Sequence, residues 1–302
     1  MKKSLLAQTL ALALAAAAVG AVHAEDTLKK IKDAGSVTMG VRESSGALSY
    51  TLGDGKYVGY HVEICQRVLA DVQKSLGLAK LDIKYQPVTS QNRIPLVQNG
   101  TVDIECGSTT NNKAREKDVS FAVTTFVEEV RMVTKANSGI NSINQLAGRT
   151  VATTTGTTSV QTLRKHERAS GLDFKEVFGK DHADSFLLLE SGRADAFVMD
   201  GSLLAGLVSK SKNPADYKIV GEVLSVEPIA IMFRKDDPAF KKAVDDSIKA
   251  MMKSGEINKL YDKWLMQAIP PSNTKVGLAM SDNLKAAIAN PNDKPAEDYA
   301  KK

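Results

Sequence analysis

The sequence LVQNGTVDIECGS at residues 96–108 returns in outline 92 residues later, as LLESGRADAFVMD at residues 188–200. In each segment a leucine is followed four residues later by a glycine and seven residues later by an aspartate, before the residues IECGS in the first segment and AFVMD in the second. This pattern predicts a helix end, a glycine in the left-handed conformation, and a strand. Unless two common units match by chance, the chain has two lobes of similar build, with Ser108 and Asp200 at equivalent strand ends.

Strand and helix patterns alternate on both sides of these segments. Apolar residues recur at helical spacing from Tyr60 to Leu76, whereas Leu81 to Val88 alternates as a strand does. Further patterns predict a helix at 27–34, strands at 36–41, 129–135, 149–154, 218–223 and 229–234, and helices at 238–254 and 256–266. This alternation is typical of an α/β fold with mainly parallel sheets.

The order of the elements indicates that the second lobe is inserted into the first. The last two predicted helices are amphipathic, and we expect them to pack back on the first lobe. We therefore predict a discontinuous lobe 1 from residues 25–128 and 223–302, and a lobe 2 from residues 129–222. Two strand connections near residues 126–131 and 222–228 join them.

The amino terminus has the features of a signal peptide. Lys2 and Lys3 precede a mostly apolar segment, and Val22-His23-Ala24 is a small-x-small cleavage pattern. A membrane anchor is the alternative, but the segment is barely long enough to span a bilayer. We therefore expect residues 1–24 to be removed and the mature protein to lie in the periplasm. Loss of the two lysines lowers the formal net charge from +5 to +3.

Several function classes receive no support from the sequence. The basic residues are interleaved with acidic ones, so we expect no nucleic-acid partner. No Cys/His spacing resembles a metal site, and we expect no cofactor. The two cysteines, Cys65 and Cys106, allow one disulfide or two buried thiols, and both remain open at this level.

Polar side chains collect where the predicted strands end. In open α/β sheets, ligands bind outside the carboxyl ends of the strands. An α-carboxylate requires a guanidinium and helix N-terminal N–H groups, an α-ammonium requires a carboxylate and hydroxyls, and a second carboxylate requires a second cation. Two arginines, a histidine and an aspartate meet these needs and predict an acidic amino acid as ligand. The candidates are Arg42, Ser90, Arg93, Ser108, Thr110, Thr157, Thr158, His182 and Asp200.

The sequence gives little support for a catalytic function. The chain has no Gly-x-Ser-x-Gly elbow. His182 beside Asp181 and Asp184 has the composition of a general base, but such a histidine more often binds or caps a helix. Periplasmic enzymes of this architecture exist, notably cyclohexadienyl dehydratases, so an enzyme is the alternative to a binding protein.

The chain resembles the periplasmic glutamate/aspartate-binding proteins of ABC transporters, which are solute-binding proteins of family 3. The resemblance implies a type II periplasmic binding protein fold, with two α/β lobes joined by two crossover strands. It runs from about residue 27 to the tail and rests on residues 41–45 (VRESS), 89–96 (TSQNRIPL), 105–112 (ECGSTTNN), 180–186 (KDHADSF), 189–194 (LESGRA), 269–271 (IPP) and 291–294 (PNDK).

The resemblance also implies roles for the candidates. Arg93, Ser108 and Thr158 would hold the α-carboxylate of glutamate or aspartate. Asp200, helped by Ser108 or Thr110, would hold the ammonium, and a last group would hold the side-chain carboxylate: Arg42, Ser90 and His182. The implied partners are a membrane permease and an ATPase, and the protein is expected to be a monomer. A binding protein for another polar amino acid, such as glutamine, remains a further alternative.

Overall fold

The computed structural model describes residues 26–299. Within them the α-helices are α1 (Thr27–Ala34), α2 (Tyr60–Ser75), α3 (Arg93–Gln98), α4 (Thr158–Ser170), α5 (His182–Glu190), α6 (Gly201–Lys210), α7 (Pro238–Ser254), α8 (Glu256–Tyr261), α9 (Asp282–Ala289) and α10 (Ala296–Tyr299). The strands are β1 (Ser36–Val41), β2 (Ser44–Ser45), β3 (Ser49–Gly53), β4 (Lys56–Val58), β5 (Asp82–Pro87), β6 (Ile104–Glu105), β7 (Val119–Phe121), β8 (Phe126–Lys135), β9 (Thr150–Thr154), β10 (Lys175–Gly179), β11 (Ala196–Asp200), β12 (Tyr217–Ile229), β13 (Met232–Arg234), β14 (Ala268–Ile269) and β15 (Thr274–Lys275). Short 3₁₀ helices cover Arg115–Lys117, Ile143–Leu146 and Pro214–Asp216, and a π-helix covers Asp262–Met266.

The expected signal peptide, residues 1–24, lies outside the described residues. None of the helices in residues 26–299 combines the length and the apolar character that a bilayer crossing requires.

Two five-stranded sheets organise the molecule. The first has the strand order β5-β1-β6-β13-β7, and the second has the order β10-β9-β11-β8-β12. In each sheet the first three strands pair in parallel, and the remaining pairings are antiparallel. The sheets are therefore mixed rather than mainly parallel. We call each sheet with the elements packed on it the first lobe and the second lobe.

The internal repeat has a counterpart in the hydrogen bonds of the two lobes. Val102 N–H donates to Leu96 O, and 92 residues later Ala194 N–H donates to Leu188 O, each at 2.9 Å. Asp103 and Asp195 play the same part, because each carboxylate accepts from a backbone N–H of a neighbouring strand, that of Thr38 on β1 or of Thr150 on β9.

The glycines of the repeat adopt the predicted conformation, with φ of 75° at Gly100 and 73° at Gly192. The repeat in the sequence therefore corresponds to a repeat in the structure, and Ser108 and Asp200 lie at the ends of equivalent strands.

Each sheet has an apolar core. On the first lobe, α2 buries Ile64, Val68 and Val72 at helical spacing and packs against α7. On the second lobe, Val130 on β8 and Leu163 on α4 belong to a separate buried cluster. Burying an aliphatic side chain of this size contributes about 1.5–3 kcal/mol. The rigid lobes therefore hold their strand ends, and the side chains on them, in fixed positions.

The strands β8 and β12 connect the lobes. They pair in antiparallel fashion from Phe126 opposite Ile229 to Lys135 opposite Tyr217, with a register shift between Val220 and Ser225. The prediction of separate strands at 218–223 and 229–234 was wrong, because β12 is continuous to Ile229 and β13 starts at Met232.

The sequence predicted a break between the two strands because the polar, proline-containing segment before Ile229 has the composition of a loop. β12 is an edge strand, where a proline that lacks an N–H group is tolerated.

Cys65 on α2 and Cys106 after β6 form a disulfide. The structure thereby decides between the two states that the sequence left open. The bond closes a segment of 41 residues within the first lobe and ends two residues before Ser108. Such a crosslink restricts the unfolded chain and holds the end of β6 against α2.

Candidate functional site

The nine predicted residues lie at the strand ends that face each other across the two lobes. On the first lobe Arg42 follows β1, while Ser90 and Arg93 follow β5. On the second lobe His182 begins α5 after β10, and Asp200 ends β11. The remaining four occupy the turn after β6 and the start of α4: Ser108, Thr110, Thr157 and Thr158. All but the half-buried Thr158 are buried, so the lobes enclose the cleft between them.

One end of the cleft is built around the guanidinium of Arg42, which is fully buried. Its Nη2 donates to Ser90 Oγ at 3.1 Å, to Asp181 Oδ1 at 2.7 Å and to His182 Nε2 at 3.1 Å. Its Nη1 lies 3.4 Å from Ser108 Oγ. The arrangement brings together residues from four strand ends and both lobes.

His182 is a neutral acceptor in this arrangement. Burial lowers the pKa of His182 to about 3, and the charge of Arg42 adds to this effect. The hydrogen bonds of the ring fit a neutral imidazole. Nδ1 lies 3.0 Å from Thr154 Oγ1 and donates to it, and Nε2 accepts from Arg42. His182 therefore orients Arg42.

Asp181 was not among the predicted site residues. Burial would raise the pKa of Asp181, but the charge of Arg42, together with hydrogen bonds from Ser44 and Arg42, lowers it to about 2. Asp181 is thus the counter-ion of Arg42.

The cleft contains buried atoms of ionisable side chains that lack hydrogen-bond partners among the described residues. These atoms are Oδ1 of Asp200 and Nε of Arg93 and Arg42. Arg93 donates through Nη1 to Ser108 O at 3.2 Å. Burial raises the pKa of Asp200 well above its ordinary value, and the nearby carboxylates of Glu128 and Glu227 raise it further. Buried charges normally require partners, so this set suits a ligand that contributes both an anion and a cation.

A carboxylate on β12, that of Glu227, joins hydroxyls from both lobes. Its Oε2 accepts from Thr110 Oγ1 and from Thr158 Oγ1, each at 2.6 Å. Its Oε1 accepts from Ser225 Oγ at 2.9 Å. The hydroxyl of Thr157 turns away from this group and donates to Thr154 O within its own turn.

Opposite Glu227, on β8, lies a second buried carboxylate, that of Glu128. It accepts from the backbone N–H and from the hydroxyl of Ser202 on α6. Burial raises the pKa of Glu128 to about 7, and the charge of Glu227 contributes in the same direction.

The prediction from the sequence missed Asp181, Glu227 and Glu128. Asp181 follows β10 and had a detectable signal, because it stands beside His182 at a strand end. Glu227 lies within the predicted connection at 222–228, and only its pairing with Glu128 marks it as a site residue. In residues 26–299 no group of three or more His, Cys, Asp and Glu side chains is arranged to hold a metal ion.

Comparison with known proteins identifies the family of the chain. Residues 37–267 match the model of the bacterial extracellular solute-binding proteins, family 3. The chain belongs to that family. Its fold is thus the type II periplasmic binding protein fold that the resemblance implied.

Two curated relatives align with this family 3 protein over nearly its whole length. The L-glutamate/L-aspartate-binding protein of Pseudomonas aeruginosa is 46% identical over 296 residues, which cover 97% of this chain and 98% of the relative. The glutamate/aspartate import solute-binding protein of Escherichia coli is 44% identical over 291 residues, or 96% of each chain. Both names describe binding proteins rather than enzymes.

A solved structure is also similar, that of an ancestral amino-acid-binding protein described as a precursor of cyclohexadienyl dehydratase. The TM-score is 0.68 at 27% identity, with 79% of this chain and 99% of the other covered. Cyclohexadienyl dehydratases are the enzymes that the sequence left as an alternative. The similar protein is described as their precursor, but it is itself an amino-acid-binding protein.

Proposed function

We propose that this protein binds L-glutamate and L-aspartate between its lobes and delivers them to an ABC importer. The observation that supports this is the enclosure of two arginines and one aspartate in a single buried cleft, with Arg42, Arg93 and Asp200 each at most 2% exposed. An amino acid with an acidic side chain carries two anions and one cation and complements this set. The names of the two curated relatives agree with it.

Arg93 and the N-terminus of α4 form the end proposed for the α-carboxylate. The first turn of α4 has backbone N–H groups without partners inside the helix, and such groups attract anions. The α-ammonium would lie against Asp200, with Ser108 and Thr110 as hydroxyl acceptors.

The side-chain carboxylate would meet Arg42 and Ser90, with His182 holding Arg42 in place. Glutamine has no charge to offer Arg42, which favours the acidic ligands.

The lobe boundaries belong to the same proposal. Lobe 1 would comprise residues 25–128 and 223–302, and lobe 2 residues 129–222, with β8 and β12 crossing between them. Only two crossing strands would then resist rotation of one lobe on the other, so the lobes would open and close around the ligand.

The location and the partners are proposed from the family and from the relatives' names. We propose that residues 1–24 direct export to the periplasm, and that the monomeric protein there meets the permease and its ATPase. A relative of 44% identity is named an import solute-binding protein.

Isothermal titration calorimetry tests the ligand. The protein is unfolded in guanidinium chloride, dialysed and refolded to remove co-purified ligand, and then titrated with glutamate, aspartate, glutamine, asparagine and arginine. We expect glutamate and aspartate to bind most tightly. Tighter binding of glutamine or arginine would contradict the proposal. Mass spectrometry of samples incubated with glutamate or prephenate should show neither changed, whereas turnover would favour the enzyme.

A further inference from the structure

The hydroxyls of Thr110 and Thr158 share one acceptor, Oε2 of Glu227, although they come from different lobes. Each is 2.6 Å from that oxygen, and the two hydroxyl oxygens are 3.4 Å apart. Glu227 is only 4% exposed, and its other oxygen accepts from Ser225. The carboxylate is therefore held at the meeting point of both lobes.

A hydroxyl has one proton to donate and two lone pairs that accept. Because Thr110 and Thr158 both direct their proton at Glu227, only lone pairs remain for a ligand. These two hydroxyls can therefore accept a hydrogen bond but cannot donate one. Asp200, whose Oδ1 has no partner among the described residues, is an acceptor as well.

The neighbouring charges favour a cation at the same place. Glu227 and Glu128 are paired directly opposite each other, and like charges in that position repel. The pKa of Asp200 is raised by burial and then by both of these carboxylates, and it is lowered to a smaller extent by Arg93 and Arg115, so three acidic groups and two arginines interact here. A ligand ammonium would relieve that repulsion, whereas a carboxylate or a keto oxygen would increase it.

We propose that Glu227 is a positioning residue that makes the cleft require an α-ammonium group, because it takes the protons of Thr110 and Thr158 and leaves both as acceptors. This inference rests on the proposed function. It changes the role that the resemblance implied for Thr158, since only the backbone N–H of that residue is then free to bind the α-carboxylate.

Two ligands separate this role from a general structural one. L-Glutamate and glutarate share both carboxylates and the carbon spacing, but glutarate has no ammonium. The experiment measures both dissociation constants by calorimetry for refolded wild type, Glu227→Gln and Glu128→Gln. The Glu128 variant is the comparison, because it removes the opposite buried carboxylate and its repulsion but leaves the protons of both threonines directed at Glu227.

We expect Glu227→Gln to weaken glutamate by roughly tenfold or more while glutarate changes little, because charge-assisted hydrogen bonds are lost for the ammonium alone. Glu128→Gln removes only part of the repulsion, so it should lower the preference for glutamate over glutarate less than Glu227→Gln does. If Glu227→Gln weakened both ligands equally, the ratio of the two constants would stay as in wild type. The inference would then be wrong, whereas the proposed function would stand. A wild type that binds no acidic amino acid would overturn the proposed function and the inference with it.

A second variant covers the case in which Glu227→Gln does not fold. Thr158→Val keeps the shape of the side chain and removes the acceptor. It should weaken glutamate and spare glutarate. If it weakened glutarate equally, the Thr158 hydroxyl would be a donor to the α-carboxylate, and the inference would be wrong.

Discussion

Arg42 on the first lobe and Asp181 on the second form an ion pair across the cleft, with Arg42 Nη2 2.7 Å from Asp181 Oδ1. The Arg42 side chain is fully buried, and that of Asp181 is 17% exposed. The Ser44 hydroxyl donates to the other Asp181 oxygen at 2.7 Å and accepts from Ala183 N–H at 3.2 Å. The pair thus neutralises Arg42 and joins the lobes in the same contact.

Asp181→Asn should sharpen the preference for glutamate over glutamine. Among the described residues Asp181 is the acid that forms an ion pair with Arg42, so in Asp181→Asn a ligand carboxylate would supply the neutralising charge; leaving such a charge unpaired costs about 3–5 kcal/mol. We expect the ratio of the glutamine and glutamate dissociation constants to rise by roughly tenfold or more, as measured by calorimetry. Ser44→Ala, which removes a hydrogen bond to Asp181 but no charge, should leave the ratio near that of wild type. A ratio that fell in Asp181→Asn would show that Asp181 does not neutralise Arg42.

Substitution of Arg42 and substitution of Arg93 should change the affinities for acidic and neutral amino acids in different ways. Arg42→Met should weaken glutamate and aspartate by roughly two to four decades, at ~1.4 kcal/mol per decade, because their side-chain carboxylate loses its partner. Glutamine should be affected less. Arg93→Met should weaken every amino acid alike, since all share the α-carboxylate. Circular dichroism first checks that both variants fold.

The double variant Arg42→Met with Asp181→Asn adds a control. Arg42→Met alone leaves the Asp181 carboxylate beside the ligand, so removing that charge should recover part of the lost affinity. If glutamate bound Arg42→Met as tightly as wild type, or if glutamine lost as much as glutamate, Arg42 would not recognise the side-chain carboxylate.

The sequence predicted the elements that local patterns specify. The bounds of α1, β1 and α7 agree with the prediction, because caps and apolar spacing mark them: Asp26 and Asp237 cap the two helices. The nine candidates do lie at facing strand ends, since parallel strands bring their carboxyl ends to one edge.

What the sequence could not predict depends on contacts between distant residues. Glu227 belongs to the site because it accepts hydrogen bonds from Thr110 and Thr158, which are 117 and 69 residues away in the sequence. The disulfide depends on how α2 packs against β6, which no local pattern records.

The disulfide should contribute to stability more than to ligand preference. Replacing Cys65 and Cys106 with alanine should lower the free energy of unfolding by about 2–4 kcal/mol, because the unfolded chain loses a constraint. Urea unfolding of oxidised, reduced and alanine-substituted protein measures this. The reduced protein should behave like the variant, and the ratio of the glutamate and glutamine dissociation constants should stay constant. Equal stability of all three forms would contradict the prediction.

A buried histidine, His61, should contribute a loss of stability in mild acid. Its Nδ1 donates to Gly107 O at 2.5 Å, and its Nε2 accepts from the Thr125 hydroxyl at 3.0 Å. Burial lowers the pKa of His61 from 6.5 to about 4. The imidazole therefore binds its proton more readily in the unfolded chain, and its contribution to stability falls as the pH drops from about 6.5 towards 4, by up to ~1.4 kcal/mol per pH unit.

Urea unfolding of the ligand-free protein at pH 7, 6 and 5 tests this effect. His61→Gln should lose less stability, or gain more, than wild type as the pH falls. His182, whose pKa burial lowers to about 3, acts in the same direction as His61, whereas the raised pKa values of Glu128 and Asp200 act in the opposite direction, so the difference between the two proteins measures the contribution of His61. Identical slopes in the two proteins would exclude a contribution from His61.

Closure of the lobes should depend on a contact between two glycines. Gly46 on the first lobe has a φ of 58°, and Gly206 on α6 faces it across the cleft, so that a Cβ added to Gly206 would lie 2.8 Å from Gly46 Cα. Gly206→Ala should favour α6 itself, because alanine is the better helix former by about 1 kcal/mol. The same methyl group should oppose the closed arrangement.

We therefore expect Gly206→Ala to keep or raise the melting temperature of the ligand-free protein while it weakens glutamate binding. Small-angle scattering should show that the radius of gyration falls when glutamate saturates the wild type, and that it falls less in the variant. Gly206→Val should weaken glutamate binding and the contraction further, because it is bulkier at the same position, but it should stabilise α6 less than alanine does. If the variant bound glutamate normally and contracted as the wild type does, the lobes would not close through this contact.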